Sequence, residues 1–245
     1  MKPSKSHLCL LPSLISCLIL FMTLSVSGQD NYQKLAGQFV YPIYTIINTS
    51  KATGNASCFF IKYDSAIWLV TACHVFFDFE KKQLREGKFI NVFLSPDNPN
   101  EIGWAFPIEP RKMRIDILKD STYIDIIAFP VIPPKGINLV DISPHTLLSK
   151  NQKGKEILIT GYPNESLNVI ESIIVDWQEN FLFYSCNPPS TLGASGAPVF
   201  LRINSKLYFA GIYTGRNKKT NEGTIYKPNV LGYYLDSFIE WQKKR

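Results

Sequence analysis

The chain has 245 residues, of which 45% are hydrophobic and 19% are charged, and its formal net charge is +6. This composition can support a sizeable core, so it argues against a disordered chain. The excess of basic residues is mild and mostly scattered, so it does not indicate nucleic acid as a partner.

The first 28 residues are expected to lie outside the fold. Two lysines precede an almost wholly apolar run from Leu8 to Val26, and small residues form a cleavage site that ends at Gly28. This pattern is typical of a secretory signal peptide, so we expect a secreted or periplasmic protein with no membrane contact after cleavage. The same run is also long enough to be an uncleaved membrane anchor over residues 8–26. A bacterial lipobox ending at Cys17 fits loosely, but the strongly apolar residues after it argue against that alternative.

Short apolar runs, rich in β-branched and aromatic residues, then alternate with turn residues along the chain. Such spacing is typical of an all-β sandwich or barrel. The predicted strands cover residues 38–47, 58–63, 66–71, 89–94, 124–131, 156–160, 168–175, 181–185, 197–201, 206–214 and 224–226. A polar, turn-rich stretch over 133–155 is predicted to link two β subdomains. One helix is predicted over 237–244, with Asp236 as its N-cap.

The cysteines leave the redox state of the protein open. Cys58, Cys73 and Cys186 remain after the signal segment, so at least one thiol is unpaired within the chain. A Cys58–Cys73 disulfide and two free thiols are both compatible with the spacing, which does not determine connectivity. The sequence has no CxxC pair and no HExxH motif, so we expect no zinc site and no cofactor.

Histidine limits the choice of a general base. Besides His7 in the signal segment, the chain has only His74 and His145. His74 follows a predicted strand, whereas His145 lies in the polar link. A catalytic base must be held rigidly, so the position at a strand end favours His74.

A serine surrounded by small residues is the candidate nucleophile. Ser195 lies in the segment Gly-Ala-Ser-Gly-Ala-Pro, directly before a predicted strand. Small neighbours let a substrate carbonyl approach the backbone, and they let the amide N–H groups of Gly193 and Ser195 converge as an oxyanion hole. A serine hydroxyl is a weak nucleophile by itself, so it needs a neighbouring base.

An aspartate within an apolar run is the candidate partner of that base. Asp125 is flanked by isoleucines, and a buried carboxylate is costly unless it is paired. Accepting a ring N–H from His74 would satisfy Asp125 and would stabilise the imidazolium. Asp116 and Asp120 are rivals, although their more polar surroundings give them less need of a partner.

Three segments resemble the signature segments of trypsin-like serine peptidases, and they occur in that family's order. They are Thr-Ala-Cys-His-Val at 71–75, Asp-Ile-Ile-Ala at 125–128 and Gly-Ala-Ser-Gly-Ala-Pro at 193–198. The resemblance is closest to the bacterial branch that includes glutamyl endopeptidases and HtrA-type enzymes. It implies two six-stranded antiparallel β-barrels of the chymotrypsin-like type, over residues 29–140 and 141–245. The C-terminal helix would belong to the second barrel.

The resemblance also implies a function and a site. The chain would be a secreted serine endopeptidase that uses a Ser-His-Asp triad, an acyl-enzyme intermediate and a protein or peptide substrate, with no nucleic acid partner. The side chains of His74 and Asp125 would come from the first barrel, and Ser195 from the second. The specificity pocket would be framed by residues of the second barrel, which are Ser190, Thr191, Tyr213 and Thr214.

Two departures from the family pattern limit what the resemblance implies. Ala194 replaces the acidic residue that receives a new N-terminus during zymogen activation, so we do not expect that switch. Tyr213 stands where glutamyl endopeptidases have a histidine, so glutamate specificity is not carried over. A non-catalytic binding protein on the same fold is the alternative function.

Overall fold

The structure is a computed structural model that describes residues 31–48, 51–85, 89–92, 104–107, 113–118, 122–143, 150–162, 166–185, 193–216 and 222–244. The chain divides into two compact units, residues 1–35 and 36–245. In the first unit the described residues, 31–35, are helical. The second unit contains all the strands and the long helix described below.

Nine strands lie among the described residues of the second unit before position 141. They are β1 (Tyr41–Asn48), β2 (Lys51–Tyr63), β3 (Ala66–Thr71), β4 (Phe77–Asp78), β5 (Gln83–Leu84), β6 (Phe89–Val92), β7 (Trp104–Pro107), β8 (Ile127–Val131) and β9 (Leu139–Val140). Seven of them form one sheet in the order β7-β6-β1-β2-β3-β8, with β9 beside β2. Strands β4 and β5 form a separate pair. A short 3-10 turn, Cys73–Val75, follows β3.

The six strands that the structure describes after residue 150 close into a barrel. They are β10 (Glu156–Gly161), β11 (Asn168–Trp177), β12 (Phe181–Ser185), β13 (Pro198–Ile203), β14 (Lys206–Arg216) and β15 (Glu222–Tyr226). The order around the barrel is β10-β11-β12-β15-β14-β13, and every neighbouring pair is antiparallel. Its interior holds a buried cluster of apolar side chains that includes Ile159, Leu182 and Val199.

A C-terminal helix, α1 (Pro228–Lys243), packs against the first sheet. The rings of Trp68 on β3 and Phe238 on α1 meet edge to face, with centroids 5.3 Å apart. The hydroxyl of Tyr234 donates to the carbonyl of Arg114 at 2.9 Å, and the Arg114 guanidinium donates to the Ser237 carbonyl at 2.9 Å. The helix therefore ties the C-terminal end of the chain to the first sheet.

The predicted all-β fold with a C-terminal helix is confirmed. The second six-stranded barrel is confirmed as well, and β3 and β12 have the predicted bounds. The first barrel differs from its prediction, because the described residues form a sheet of seven strands that is not closed. Four described strands escaped prediction: β4, β5 and β9 have only two residues each, and β7 contains a proline that a sheet tolerates at its edge.

The predicted helix was wrong at its start. The helix begins at Pro228, and proline is well suited to a first helical position. Its buried residues recur at helical spacing from Val230 to Phe238, so packing extends it across Gly232. The carboxylate of Asp236 does not cap the helix but accepts a hydrogen bond from the Tyr63 hydroxyl at 2.5 Å. No helix in the described part of the chain has the length and hydropathy needed to cross a bilayer.

Candidate active site

The side chains of His74 and Asp125 are in direct contact. The His74 ring nitrogen Nδ1 lies 2.7 Å from Asp125 Oδ2, and the His74 backbone N–H donates to Asp125 Oδ1 at 2.7 Å. The His74 side chain is 33% exposed and that of Asp125 is 19% exposed. The carboxylate is thus largely withdrawn from water while the imidazole keeps an open side.

This contact determines which ring nitrogen carries a proton. An ionised carboxylate can only accept hydrogen bonds, so Nδ1 of His74 must be the donor. In the neutral ring the lone pair is then on Nε2, the nitrogen that does not contact Asp125. His74 therefore presents its basic nitrogen away from Asp125, which is the arrangement that a general base requires.

The loop that carries Asp125 is held by the second barrel. Asp125 lies between Ile124 and Ile126, both fully buried, and two residues before the start of β8. Its backbone N–H donates to the hydroxyl of Tyr226 at 3.3 Å, and that hydroxyl donates to the carbonyl of Tyr123 at 3.1 Å. Since Tyr226 ends β15, the position of the carboxylate depends on both halves of the chain.

Asp116, a predicted rival of Asp125, has a different partner. Its Oδ2 accepts a hydrogen bond from Arg114 Nε at 3.1 Å and lies 3.0 Å from Arg114 Nη2 in an ion pair, and its Oδ1 accepts the backbone N–H of Ile117 at 3.0 Å. Asp116 is therefore engaged in a structural ion pair near helix α1. Asp120, the second rival of Asp125, and His145, the alternative to His74, lie outside the described residues.

Ser195 lies in a tight turn directly before β13. Gly193 and Gly196 have φ angles of +103° and +85°, in the left-handed region that favours glycine. Within 193–201, Ser195 is the one residue that is not buried. The carbonyl of Ala194 accepts the Ala197 N–H at 2.9 Å, and the Gly196 N–H donates to the Tyr213 carbonyl at 2.8 Å. The turn is thus fixed by backbone hydrogen bonds while its serine stays accessible.

The serine turn packs against the segment that carries His74. The carbonyl of Ser195 accepts the backbone N–H of Ser57 at 2.8 Å, and the carbonyl of Ser57 accepts the Thr71 hydroxyl at 2.7 Å. A Cβ on Gly196 would lie 2.7 Å from the backbone nitrogen of Ala72, which is too close for any side chain. Gly196, which follows Ser195, therefore lies against Ala72, two residues before His74.

Two of the four residues predicted to frame a specificity pocket lie among the described residues. Tyr213 is 3% exposed and packs in the interior of the second barrel, where its ring centroid lies 6.0 Å from that of Tyr184. Thr214 is partly exposed, and its hydroxyl donates to the carbonyl of Thr224 at 3.4 Å. Ser190 and Thr191 lie outside the described residues. The pocket stays a prediction.

Cys58 and Cys73 are free thiols in the structure, and both are fully buried in the core of the first sheet. Burial raises the pKa of Cys58, and burial together with the neighbouring Asp125 carboxylate raises the pKa of Cys73. A high thiol pKa disfavours the nucleophilic thiolate. Cys73 is therefore poorly suited to act as a nucleophile, although it adjoins His74 in the sequence.

Two residues that contact the site were missed by the sequence analysis. Ser57 is fully buried although it is polar, and it touches the serine turn through both its backbone and its hydroxyl. A polar residue between Ala56 and Cys58 in a buried strand is a usable signal, because a buried hydroxyl needs a partner. Tyr226 carries no such signal, since an aromatic residue is common in any strand. Among the described residues, no group of three or more His, Cys, Asp and Glu side chains could hold a metal ion.

Comparisons with known proteins identify the family. The model of the trypsin-like peptidase domain family matches residues 56–227. No curated protein matches the chain in sequence. Among solved structures, the serine endoprotease from Yersinia pestis is similar to this chain, with a TM-score of 0.55 and 17% sequence identity. The match covers 84% of this chain but 64% of that one, so this chain spans less than two thirds of the other's length.

The structural similarity, at this low identity, speaks for the fold alone. The family match carries more, because it extends over well more than half of the chain and contains the segments of His74, Asp125 and Ser195. This chain belongs to the trypsin-like peptidase domain family.

Proposed function

We propose that this chain is a secreted serine endopeptidase with Ser195, His74 and Asp125 as its catalytic triad. The observation that carries the proposal is the double contact between His74 and Asp125, because it leaves the basic Nε2 of His74 free to take a proton. Ser195 is accessible in a fixed turn that packs against the segment of His74, and this supports Ser195 as the nucleophile.

The first half of the reaction would form an acyl-enzyme. The Oγ of Ser195 attacks the scissile carbonyl carbon while Nε2 of His74 takes the hydroxyl proton. The carbonyl oxygen becomes an oxyanion, which the N–H groups of Gly193 and Ser195 stabilise. When the C–N bond breaks, His74 returns its proton to the leaving amine. Asp125 keeps Nδ1 protonated and stabilises the imidazolium throughout.

The second half would release the acid. Water attacks the acyl carbon, Nε2 of His74 takes a proton from the water, and a second oxyanion forms in the same place. Collapse of this intermediate breaks the bond to Ser195 Oγ, which regains its proton from His74. Apart from water, these side chains and the backbone amides supply every group that the two steps use.

The turn also bears on how the enzyme would become active. Ala194 is 3% exposed and belongs to the apolar cluster inside the second barrel. A residue of this kind offers no charged partner to a newly formed N-terminus. We therefore propose that activity does not depend on such a switch. Export, with cleavage after Gly28, is part of the proposal, and a mature N-terminus at Gln29 would support it.

Labelling with a fluorophosphonate probe tests the proposed function. Purified protein without residues 1–28 is compared with Ser195→Ala and His74→Ala, and a circular dichroism spectrum of each sample establishes that it is folded. We expect covalent labelling of the parent protein, none of Ser195→Ala, and at least a 1000-fold slower reaction of His74→Ala, which is roughly the loss expected when a triad base is removed.

The outcome separates the two candidate functions. Labelling that needs both residues would support an activated nucleophile, and a peptide library would then identify the preferred side chain at the cleavage site. A folded protein that does not react would contradict the proposed peptidase and would favour a binding protein on the same fold.

A further inference from the structure

We infer that Ser57, a buried residue of the first sheet, is a positioning residue for the nucleophile: it binds the carbonyl groups of both Gly193 and Ser195 and so holds the orientation of the serine turn. This inference rests on the proposed function, since it assigns Ser57 a role in the reactivity of Ser195. Ser57 touches no reacting atom, so its effect would be exerted through the turn.

Ser57 is fully buried, and all of its polar groups have partners. Its backbone N–H donates to the carbonyl of Ser195 at 2.8 Å, and its Oγ donates to the carbonyl of Gly193 at 2.7 Å. The same Oγ accepts the N–H of Tyr162 at 3.1 Å, while the Ser57 carbonyl accepts the Thr71 hydroxyl at 2.7 Å. One residue of the first sheet thus joins two loops of the second barrel.

The pairing of β2 explains why Ser57 is available for these contacts. The ladder between β2 and β3 begins at the pair Phe59 and Val70, two residues after Ser57. On that side of β2, the backbone groups of Ser57 have no strand partner in the ladder. They bind the Ser195 carbonyl and the Thr71 hydroxyl instead. The end of a strand pair therefore supplies the attachment point for the serine turn.

These contacts bear on the proposed oxyanion hole through peptide geometry. In a planar trans peptide, the N–H points opposite to the carbonyl of the preceding residue. The Ala194 carbonyl is held by the Ala197 N–H, so the Ser195 N–H points to the other side of the turn. The carbonyls before and after that peptide, those of Gly193 and Ser195, are held by Ser57. Three consecutive peptide groups are therefore fixed, and Ser57 binds two of them.

Removing the Ser57 hydroxyl should loosen this arrangement without touching His74 or Asp125. The Gly193 carbonyl would lose its donor, and the 193–194 peptide would be free to rotate. A displacement of about 1 Å in a reacting group can slow a reaction by on the order of 100-fold. We expect Ser57→Ala to react with a fluorophosphonate probe about 10- to 100-fold more slowly.

The test measures the rate constant and the final extent of labelling separately, from pH 5 to pH 9. A positioning role predicts a lower rate constant, full final labelling and an unchanged midpoint of the pH profile, because the contact between His74 and Asp125 is intact. A merely structural role predicts the parental rate constant with a smaller reactive fraction. Ser172→Ala is the control, because Ser172 is also buried and its Oγ also donates to a backbone carbonyl at 2.7 Å, that of Ser185 between β11 and β12.

Ser57→Cys provides a second variant if Ser57→Ala does not fold. The thiol has a similar shape but is a much weaker donor, so the rate constant should again fall. A parental rate constant in either folded variant would overturn the inference while the proposed function stands. A folded parent protein that is not labelled at all would overturn both.

Discussion

Asp125 holds His74 at two points, because one carboxylate oxygen lies at the ring Nδ1 and the other accepts the backbone N–H, each at 2.7 Å. The two contacts fix both the position of the residue and the orientation of its ring. A carboxylate can accept both hydrogen bonds at once, whereas a carboxamide offers one oxygen and one NH2 group.

Asp125→Asn should therefore leave the fold intact and disable the base. The NH2 group of the asparagine cannot accept the ring N–H, so the imidazole would turn or adopt the other tautomer. We expect the rate constant of fluorophosphonate labelling to fall by on the order of 1000- to 10,000-fold. Asp116→Asn is the matched control, because Asp116 pairs with Arg114 and not with His74. Equal losses in both variants would contradict the role proposed for Asp125.

Gly161 lies against the residue that precedes Ser195, and this contact predicts a steric effect. A Cβ on Gly161 would stand 2.7 Å from the Cα of Ala194 and 2.8 Å from its Cβ. Because a backbone atom cannot yield as a side-chain tip does, Gly161→Ala should lower the free energy of unfolding by about 1–3 kcal/mol and slow the labelling of Ser195. Urea unfolding and the labelling assay measure the two effects.

Gly232→Ala is the matched control for this steric prediction. Gly232 lies within helix α1, and a Cβ there would meet no atom within 4 Å. Alanine is favoured over glycine in a helix by about 1 kcal/mol, so this variant should be more stable than the parent protein. Opposite signs for the two variants would support the packing described for the serine turn, and destabilisation by both would contradict it.

The hydrogen bond from Tyr63 to Asp236 predicts a dependence of stability on alkaline pH. The bond to the Asp236 carboxylate, with burial as a lesser cause, raises the pKa of Tyr63 to about 12. Because the folded pKa lies above the unfolded value of 10.0, the contribution is fully present below pH 10 and is lost as pH rises through 12. The hydrogen bond is exposed to solvent, so the effect should be about 1 kcal/mol or less.

Urea unfolding of the parent protein and Tyr63→Phe from pH 8 to pH 12 measures this contribution. We expect the difference in the free energy of unfolding to be constant below pH 10 and to shrink above it. Tyr233→Phe serves as the control, because Tyr233 is an exposed residue of helix α1, the helix that carries Asp236. A difference that does not change up to pH 12 would contradict the assigned hydrogen bond.

The buried thiols predict a pattern of chemical modification. Since burial raises the pKa of Cys58 and Cys73, neither should react with iodoacetamide in the folded protein at pH 8, whereas both should react in urea. Mass spectrometry of digested samples locates the modified residues. Labelling of Ser195 should be the same before and after the iodoacetamide treatment. Modification of native Cys73 together with loss of activity would indicate a cysteine nucleophile instead.

Local sequence patterns were sufficient for eleven of the fifteen described strands and for the separate site segments. The run Ala66–Thr71 is apolar and bounded by turn residues, so its extent could be predicted without knowledge of any partner strand. The segments around His74 and Ser195 likewise stood out from residue type and spacing alone. Helix α1 was only half predicted, because its first turns contain aromatic and glycine residues whose helical state depends on burial against the first sheet.

Tertiary structure decided which carboxylate meets His74 and what holds the serine turn. The sequence favoured Asp125 over Asp116 only through the lower polarity of its surroundings, and packing brings Asp125 to the imidazole and Asp116 to Arg114. Ser57 reaches Gly193 across 136 residues of chain, and Tyr226 reaches Asp125 across 101. Propensity and periodicity describe neighbours along the chain. Contacts at such separations arise only when sheet and barrel close on each other, because burial then forces each polar group to find a partner.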